Sequence, residues 1–297
     1  MNSEKNKTYK MMICLLTNHR IDKLKRLVKS VEGLEESNFL KTETIIVVNT
    51  LNDEYYQEVV NAQFPFKVIR TESNGKPGKG KNSCRKIFLE SDADFLSQID
   101  GDDWLYPTFT RSLAQHIEHY PNLDVLGMRP VDIVAPRKRG GHQFTVGDKD
   151  QYWGCVWGIS LVKRPEHGVG EGHWVKNPHP PSFDRILLQS KLSAKEMMSE
   201  DIPNGEDHLY SIQLLALHQK RKLRYFITMS SDFCVFDGTL TDNIQKKFPF
   251  KPHIQKMKKE MFKYVSAWRS SQEELPVIFN DLLFRQEEKE KFIKATY

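Results

Sequence analysis

The first hundred residues alternate between two patterns of apolar and polar positions. Short apolar runs, which are typical of buried strands, are separated by segments whose apolar residues recur at helical spacing. The predicted strands cover residues 11–17, 44–48, 66–70 and 95–99. The predicted helices between them cover residues 21–34, 53–62 and 81–90. Strands that alternate with helices predict an α/β fold with a mainly parallel sheet flanked by helices.

The pattern is less regular in the second half of the chain. A helix is predicted to begin at Glu206 or Asp207 and to end near residue 217. Two stretches with several glycines, residues 137–150 and 167–181, are predicted to be loops. Apolar runs that predict further strands cover residues 125–128, 151–162, 185–190 and 223–227.

The C-terminal part has a different pattern. Residues 254–268 and 277–293 have the apolar spacing of amphipathic helices. Because the strand–helix alternation has ended by then, a boundary is predicted near residue 240. Residues 1–240 are predicted to form one domain, and residues 241–297 a helical C-terminal extension.

Three carboxylates follow the fourth predicted strand within four residues, at Asp100, Asp102 and Asp103. Like charges at this separation repel each other unless a cation lies among them. Mg²⁺ and Mn²⁺ prefer oxygen ligands, and Mg²⁺ usually completes its shell with substrate phosphates. We predict a Mn²⁺ or Mg²⁺ site at Asp102, with Asp100 alongside. Contact of Asp100 with a ribose, or a plain acidic turn, is the alternative.

The ends of the predicted strands supply further candidates. Ligands of parallel sheets bind at the edge where the carboxyl ends of the strands meet. Thr17, Asn49, Thr71 and Asp100 stand at or next to those ends, so we expect them on one rim. Lys79 and Lys81 follow a loop with glycine and proline, where a cation would reach a bound phosphate. Solvent exposure at a helix start is the alternative for both lysines.

Composition narrows the class of protein. The chain has 297 residues, of which 39% are hydrophobic and 28% charged, as in ordinary globular proteins. No apolar run approaches the length of a membrane span, and the N-terminal residues lack the apolar segment of a secretory signal. The scattered cysteines are expected to be reduced thiols, which predicts a cytoplasmic protein. They are Cys14, Cys84, Cys155 and Cys234.

The formal net charge of +5 is distributed unevenly. Residues 246–263 contain seven lysines and one acid, and residues 137–139 are all basic. Basic patches attract phosphates, anionic lipid or nucleic acid. A solvated helix face is the alternative for the lysine-rich segment.

Six motifs occur in an order that resembles the family 2 glycosyltransferases, which have the Rossmann-like GT-A fold. The resemblance covers about residues 10–242. The motifs are the opening strand and loop at residues 13–20, the second strand at 44–49, the glycine-rich turn at 74–82, the acidic motif at 99–104, the acidic pair at 205–210 and a late loop at 236–241.

The resemblance implies a nucleoside-diphosphate sugar as donor, with a UDP-sugar first among them. Residues 10–106 would form the half that binds the donor, and residues 107–240 the acceptor half. The family's metal, Mn²⁺ or Mg²⁺, would be held by Asp102 with Asp100. The donor-binding residues that it implies are Thr17, Arg20, Asn49, Lys79, Asn82 and Asp100.

Two positions depart from the family pattern. Asn49 stands where an acid is usual at the end of the second strand, and Asp237 stands where a basic residue or histidine is common. The acid that commonly contacts the donor base is therefore displaced or replaced by an amide here.

Inversion at the sugar carbon requires a base that removes the proton of the acceptor hydroxyl. The resemblance implies Asp207 as this base, beside Glu206. Acids are also favoured at helix N-termini, which is the alternative for both residues. We expect an inverting, metal-dependent glycosyltransferase whose acceptor is a glycan or modified DNA.

Two other classes of protein stay as alternatives. A sugar-nucleotide nucleotidyltransferase usually has glycines after its first strand, and residues 17–20 have none. A non-catalytic nucleic-acid-binding protein would use the lysine-rich segment. The aromatic residues at 152–157 and Trp174 would stack on a sugar or fill the core.

Overall fold

The computed structural model describes residues 7–128, 132–136, 142–145, 170–172, 185–202, 206–228, 233–237, 277–279 and 286–296. The strands are β1 (Tyr9–Thr17), β2 (Leu40–Asn49), β3 (Lys67–Thr71), β4 (Phe95–Asp100), β5 (Trp104–Leu105), β6 (Val125–Met128), β7 (Asp132–Pro136), β8 (His142–Thr145), β9 (Gly170–Gly172), β10 (Arg185–Ser190), β11 (Tyr225–Thr228), β12 (Cys234–Asp237) and β13 (Val277–Phe279). The helices are α1 (Ile21–Glu32), α2 (Asp53–Asn61), α3 (Pro77–Glu90), α4 (Phe109–His119), α5 (Lys191–Ala194), α6 (Glu206–Gln219) and α7 (Gln286–Thr296).

The strands form two sheets. The larger sheet has nine strands in the order β3-β2-β1-β4-β10-β6-β11-β13-β9. Strands β1 to β4 pair in parallel, whereas β10 and β9 run antiparallel to their neighbours. The smaller sheet has the order β5-β12-β7-β8. The predicted α/β fold with a mainly parallel sheet is therefore confirmed.

Helices cover both faces of the larger sheet. Met11, Ile13 and Leu15 of β1 belong to the apolar cluster that includes residues of α1, α2 and α4. Met12 and Cys14 belong to the cluster on the other face, which includes residues of α3. A strand buried on both faces is apolar at successive positions, which explains the short apolar runs of the first half.

The four strands predicted in the first half are present, with small changes at their ends. The third helix begins at Pro77 rather than at residue 81. Proline is favoured in the first turn because its fixed φ suits a helix and its missing N–H needs no partner there. The end of the predicted glycine-rich loop is therefore the first turn of α3.

Three predictions in the second half need correction. Residues 277–293 are not one helix, because Val277–Phe279 is a strand that pairs with β11 and β9, and α7 begins only at Gln286. The predicted loop at 137–150 contains β8, which pairs with β7. The predicted loop at 167–181 contains β9. Each of these short segments is a strand because it pairs with a neighbouring strand, and local residue preferences do not reveal such pairing.

Other predictions fall outside the described residues. These are the strand at 151–162, the helix at 254–268, the basic segments at 137–139 and 246–263, and Trp174. The domain boundary near residue 240 stays a prediction.

The described cysteines are free and buried, at Cys14, Cys84 and Cys234. Burial raises the pKa of the Cys14 thiol well above its usual value, so this thiol stays protonated. Among the described helices, none combines the length and the apolar character that a membrane crossing requires.

Candidate active site

The carboxyl ends of β1, β2, β3 and β4 lie on one edge of the larger sheet. The strands end at Thr17, Asn49, Thr71 and Asp100. Asn49 is directly opposite Thr71, and Asp100 is opposite Leu16, one residue before the end of β1. The expected rim is therefore present, since a shared parallel register places all four strand ends at the same edge.

The acidic motif forms a tight turn at this edge. The Asp103 backbone N–H donates to the Asp100 carbonyl oxygen over 3.0 Å. A Cβ atom at Gly101 would lie 2.9 Å from the Leu16 carbonyl oxygen, so the turn packs directly against the end of β1. Asp103 is buried, whereas Asp100 and Asp102 are partly exposed. Two of the three carboxylates are thus accessible to a ligand.

Helix α1 contacts the backbone of the acidic turn at two points, one before and one after Asp103. The Arg26 Nη2 group donates to the Asp102 carbonyl oxygen over 2.8 Å, and its guanidinium lies 3.9 Å from the Trp104 ring centre. The Leu105 backbone N–H donates to Ser30 Oγ over 3.1 Å. These contacts hold the segment on either side of Asp103.

Lys81 joins the acidic turn to helix α6. Its Nζ atom lies 2.9 Å from Glu206 Oε1 and 3.8 Å from Asp100 Oδ2. Burial alone would lower the pKa of Lys81, but the carboxylates of Asp100, Glu206 and Asp207 outweigh burial and raise it. Lys81 is therefore a buried ammonium ion between acids rather than a solvent-exposed lysine at a helix start, and its contact with a phosphate stays a prediction.

Asp207 follows Glu206 in the first turn of α6 and is exposed. Its charge acts on Lys81 together with those of Asp100 and Glu206. The fold therefore brings Glu206, which directly precedes the predicted base, and Asp100 of the acidic turn to the same lysine. No local pattern indicates this pairing, because Lys81 and Glu206 are 125 residues apart.

Asn82 is fully engaged within the protein. Its Nδ2 group donates to the Met198 carbonyl oxygen and to Glu200 Oε1, each over 3.0 Å. Its Oδ1 atom accepts from the Met198 backbone N–H over 2.9 Å. These bonds attach the segment before α6 to α3, a structural role that sequence reasoning missed. A donor contact by Asn82 stays a prediction.

Asn49 and Lys79 lie near each other at the ends of β2 and α3. The buried Asn49 amide donates to Thr71 Oγ1 over 2.9 Å and to the Glu72 carbonyl oxygen over 2.7 Å. Lys79 Nζ lies 3.4 Å from the exposed Glu72 carboxylate. Asn49 therefore connects the ends of β2 and β3, and Lys79 is a partly exposed lysine paired with Glu72.

Thr17 and Arg20 occupy the loop between β1 and α1. Thr17 is hydrogen-bonded to the Tyr55 hydroxyl of α2. Arg20 has φ 70° and ψ 73°, in the left-handed region that residues other than glycine rarely adopt. Its Nε and Nη2 groups donate to Asp22 over 3.1 and 3.0 Å, which lowers the pKa of Asp22. Strained backbone of this kind concentrates at ligand-binding loops.

A groove of about 570 Å³ opens at the ends of β2 and β3. This volume lies in the range of pockets for small molecules and cofactors. A larger groove of about 670 Å³, between α1 and α2, contains none of the predicted site residues in its lining. The residues that line the smaller groove are Thr50, Leu51, Arg70, Thr71, Glu72 and Ser73.

The donor set at the acidic turn fits a hard divalent cation with few protein ligands. Within the described ranges, no three histidine, cysteine or acidic side chains form a ready metal cage. Asp100 and Asp102 supply two carboxylates. Mg²⁺ is commonly bound by one or two carboxylates plus substrate phosphates and water, so this set is sufficient.

Comparison with known proteins gives three findings. None of the curated proteins matches the chain. The first 349 residues of Staphylococcus aureus TarS align with it at 14% identity and a TM-score of 0.55, over 90% of this chain and 66% of that chain. The chain thus spans just under two thirds of that TarS structure.

Two further structures have the same fold. TarS in complex with UDP-GlcNAc aligns at 14% identity and a TM-score of 0.54, over 85% of this chain and 66% of that chain. The mannosyltransferase PcManGT from Pyrobaculum calidifontis, in complex with GDP-Man and Mn²⁺, aligns at 10% identity and a TM-score of 0.50, over 89% and 70%. The expected GT-A fold is confirmed by these likenesses.

The family model described as glycosyl transferase family 2 matches residues 13–185. This segment contains the second half of β1, all of β2 to β4, the acidic turn and Lys81. Because it is more than half of the chain, the protein belongs to glycosyl transferase family 2.

Proposed function

We propose that the protein transfers a sugar from a nucleoside-diphosphate sugar to an acceptor hydroxyl with inversion at the sugar carbon. The observation that carries the proposal is the position of Lys81, whose Nζ atom lies 3.8 Å from Asp100 Oδ2 and 2.9 Å from Oε1 of Glu206, the residue before Asp207. Inverting transfer requires a leaving-group site and a base on opposite faces of the sugar, and these contacts bring together carboxylates from two separate elements.

The donor is proposed to bind along the rim of β1 to β4. The groove at the ends of β2 and β3 would take the nucleoside, with Thr17, Arg20 and Asn49 around it. The partly exposed Lys79 would lie near the diphosphate of the donor. A UDP-sugar is the first candidate, since a TarS structure contains UDP-GlcNAc, and a GDP-sugar is second, since PcManGT contains GDP-Man.

Asp102 and Asp100 would hold Mn²⁺ or Mg²⁺ together with the donor phosphates. When bound, the ion offsets the negative charge that the leaving diphosphate gains. The Mn²⁺ in the PcManGT structure supports this assignment at the level of the shared fold. Arg26, which holds the Asp102 backbone, would keep that carboxylate in place.

Asp207 is proposed as the base. The acceptor oxygen forms a bond to the sugar carbon from the face opposite the diphosphate, the bond from that carbon to the diphosphate oxygen breaks, and the acceptor proton passes to Asp207. The exposure of Asp207 lets an acceptor reach it. Glu206 is turned inward to Lys81 and would position α6 rather than accept the proton.

The acceptor would be a hydroxyl of a glycan or of modified DNA. Membership of the family favours glycosyl transfer over nucleotidyl transfer and over a purely nucleic-acid-binding role. A salt titration of DNA binding separates the two acceptors. Affinity for DNA that falls steeply with salt supports DNA, and its absence supports a glycan.

The proposal is tested by incubating the protein with UDP-, GDP-, ADP- and dTDP-sugars and Mn²⁺, and by measuring released nucleoside diphosphate. We expect slow hydrolysis of one donor, which EDTA abolishes. Asp102→Asn should remove this activity, while Asp92→Asn, just before the other end of β4, should retain it. Unchanged turnover in Asp102→Asn would contradict the metal site, and no release from any donor would contradict the function.

A further inference from the structure

Lys81 is placed where two distant parts of the chain meet. It lies in the second turn of α3, and its side chain is 11% exposed. Its two carboxylate partners come from the tip of β4 and from the first residue of α6. A single ammonium group therefore spans the acidic turn and the helix that carries Asp207.

The Glu206 side chain is only 6% exposed, and its Oε1 atom lies 2.9 Å from Lys81 Nζ. A buried acid that loses its partner is strongly destabilising, and this is relieved when its side chain moves to water. Because Glu206 directly precedes Asp207 in the first turn of α6, a shift of the backbone at Glu206 displaces Asp207 as well. The place of the proposed base thus depends on the buried ion pair.

Lys79 provides a contrast on the same helix. It pairs with Glu72 at 3.4 Å, but the Glu72 side chain is 92% exposed. Exposed ion pairs contribute little because water and salt screen them. Of these two lysines, only Lys81 forms an ion pair in which both side chains are buried.

Other contacts hold the rest of α6. The Arg85 Nε group donates to the Tyr210 hydroxyl over 3.2 Å, and the Gln189 amide donates to the same oxygen over 2.7 Å. Loss of Lys81 would therefore loosen the first turn of α6 and leave its middle attached. The expected effect is local to Glu206 and Asp207.

We propose that Lys81 is a positioning residue that holds the base-bearing end of α6 against the acidic turn, at the expense of cation affinity at Asp100. The inference rests on the proposed function. The ammonium group lies 3.8 Å from Asp100 Oδ2, and its positive charge opposes a divalent cation there. Removing Lys81 should consequently slow transfer and tighten Mn²⁺ binding. If Lys81 had only a structural role, its removal would lower both the rate of transfer and the affinity for Mn²⁺.

The test compares Lys81→Met with the wild type. We expect kcat to fall about 100-fold, as for a misplaced base, while the donor KM stays within about threefold. Calorimetry with Mn²⁺ alone should show affinity about three- to tenfold higher, from the loss of one nearby positive charge. Lys86→Met, on the exposed face of α3, is the matched control and should resemble the wild type in all three measurements.

Two further variants sharpen the result. Lys81→Arg keeps the charge and should recover part of kcat. The double variant Lys81→Met/Glu206→Gln removes both charges, so it should recover thermal stability but not transfer. Full recovery of transfer in the double variant would show that Lys81 only neutralises Glu206, and would overturn the inference.

The remaining outcomes separate this inference from the proposed function. If the wild type transfers sugar and Lys81→Met does so equally well, or if that variant loses transfer and Mn²⁺ affinity together, the inference is overturned. If the wild type releases diphosphate from no donor, the proposed function falls instead. Calorimetry needs no turnover, and weaker Mn²⁺ binding by Lys81→Met would overturn the metal part of the inference on its own.

Discussion

The two sides of the active site are built by different forces. On the rim side, Thr17, Asn49 and Asp100 all belong to the first hundred residues. Backbone hydrogen bonds between parallel strands hold them at one edge of the sheet. On the α6 side, Asp207 comes from a helix more than a hundred residues later, and side chains of α3 hold the nearby segments. A site placed by backbone resists single substitutions better than one placed by a few side chains.

This difference is clearest along α3. Lys81, Asn82 and Arg85 of that helix contact Glu206, the segment around Met198 and Tyr210. The same helix packs against β1 and β4 on its other side. Helix α3 is therefore the element through which the position of the proposed base is set relative to the rim.

Asp207→Asn should have the largest effect, because it removes the proposed base and leaves the rim residues unchanged. We expect the rate of transfer to fall about 1,000-fold, within the range for general bases, while binding of the nucleoside diphosphate is unchanged. Single-turnover kinetics and calorimetry measure the two quantities. Asp201→Asn, an exposed acid before α6, is the control. Loss of donor binding in Asp207→Asn would contradict the separation of the two sides.

Gly78→Ala should disturb the α6 side through the backbone of α3. The added Cβ would lie 2.2 Å from the Ser199 carbonyl oxygen, so the backbone must shift. We expect the free energy of unfolding to fall by about 3 kcal/mol, at the upper range for overpacking, with Mn²⁺ affinity nearly unchanged. Urea unfolding and calorimetry test this. Gly33→Ala, whose Cβ would lie 3.6 Å from the Ser30 carbonyl oxygen, should be neutral.

His116 makes the second half of the sheet sensitive to acid. It donates from Nδ1 to the Ser112 carbonyl oxygen over 2.7 Å, and its Nε2 atom lies 3.1 Å from the Thr228 hydroxyl of β11. Burial lowers the pKa of His116 from 6.5 to about 4. The unfolded chain therefore binds a proton at a pH where the folded protein does not.

The stability that neutral His116 contributes is complete above pH 6.5 and is lost as the pH falls towards about 4. At pH 5 the loss should be about 2 kcal/mol. Urea unfolding at pH 7 and pH 5 measures it, and His116→Gln should remove this part of the pH dependence. His119→Gln is the exposed control. An unchanged pH dependence in His116→Gln would show that another group is responsible.

Arg26→Met should have the smallest effect, because the rim has backbone support besides this side chain. The lost hydrogen bond to the Asp102 carbonyl oxygen should weaken Mn²⁺ binding several-fold, corresponding to about 1 kcal/mol. Calorimetry measures the change, and Lys29→Met, exposed on the same helix, is the control. An effect as large as that of Asp102→Asn would mean that side chains also determine the rim.

The same difference explains what could be predicted from the sequence. The apolar runs at β1, β2 and β4 reveal strands with successive buried residues, and parallel pairing then fixes the rim and the place of Asp100. The early start of α3 was missed because its first turn contains glycine and proline. Strand β13 was missed because its three apolar residues also fit a helical pattern. The pairing of Lys81 with Glu206 depends on tertiary contact, which local patterns do not encode.

The internal ammonium group has a consequence for how the enzyme rests between turnovers. Since Lys81 provides a counter-ion for Asp100, the acidic turn should keep its shape when no ligand is bound. An ion and a nucleotide sugar bound as proposed would then enter a site that is already assembled, and little ordering would be required when they bind.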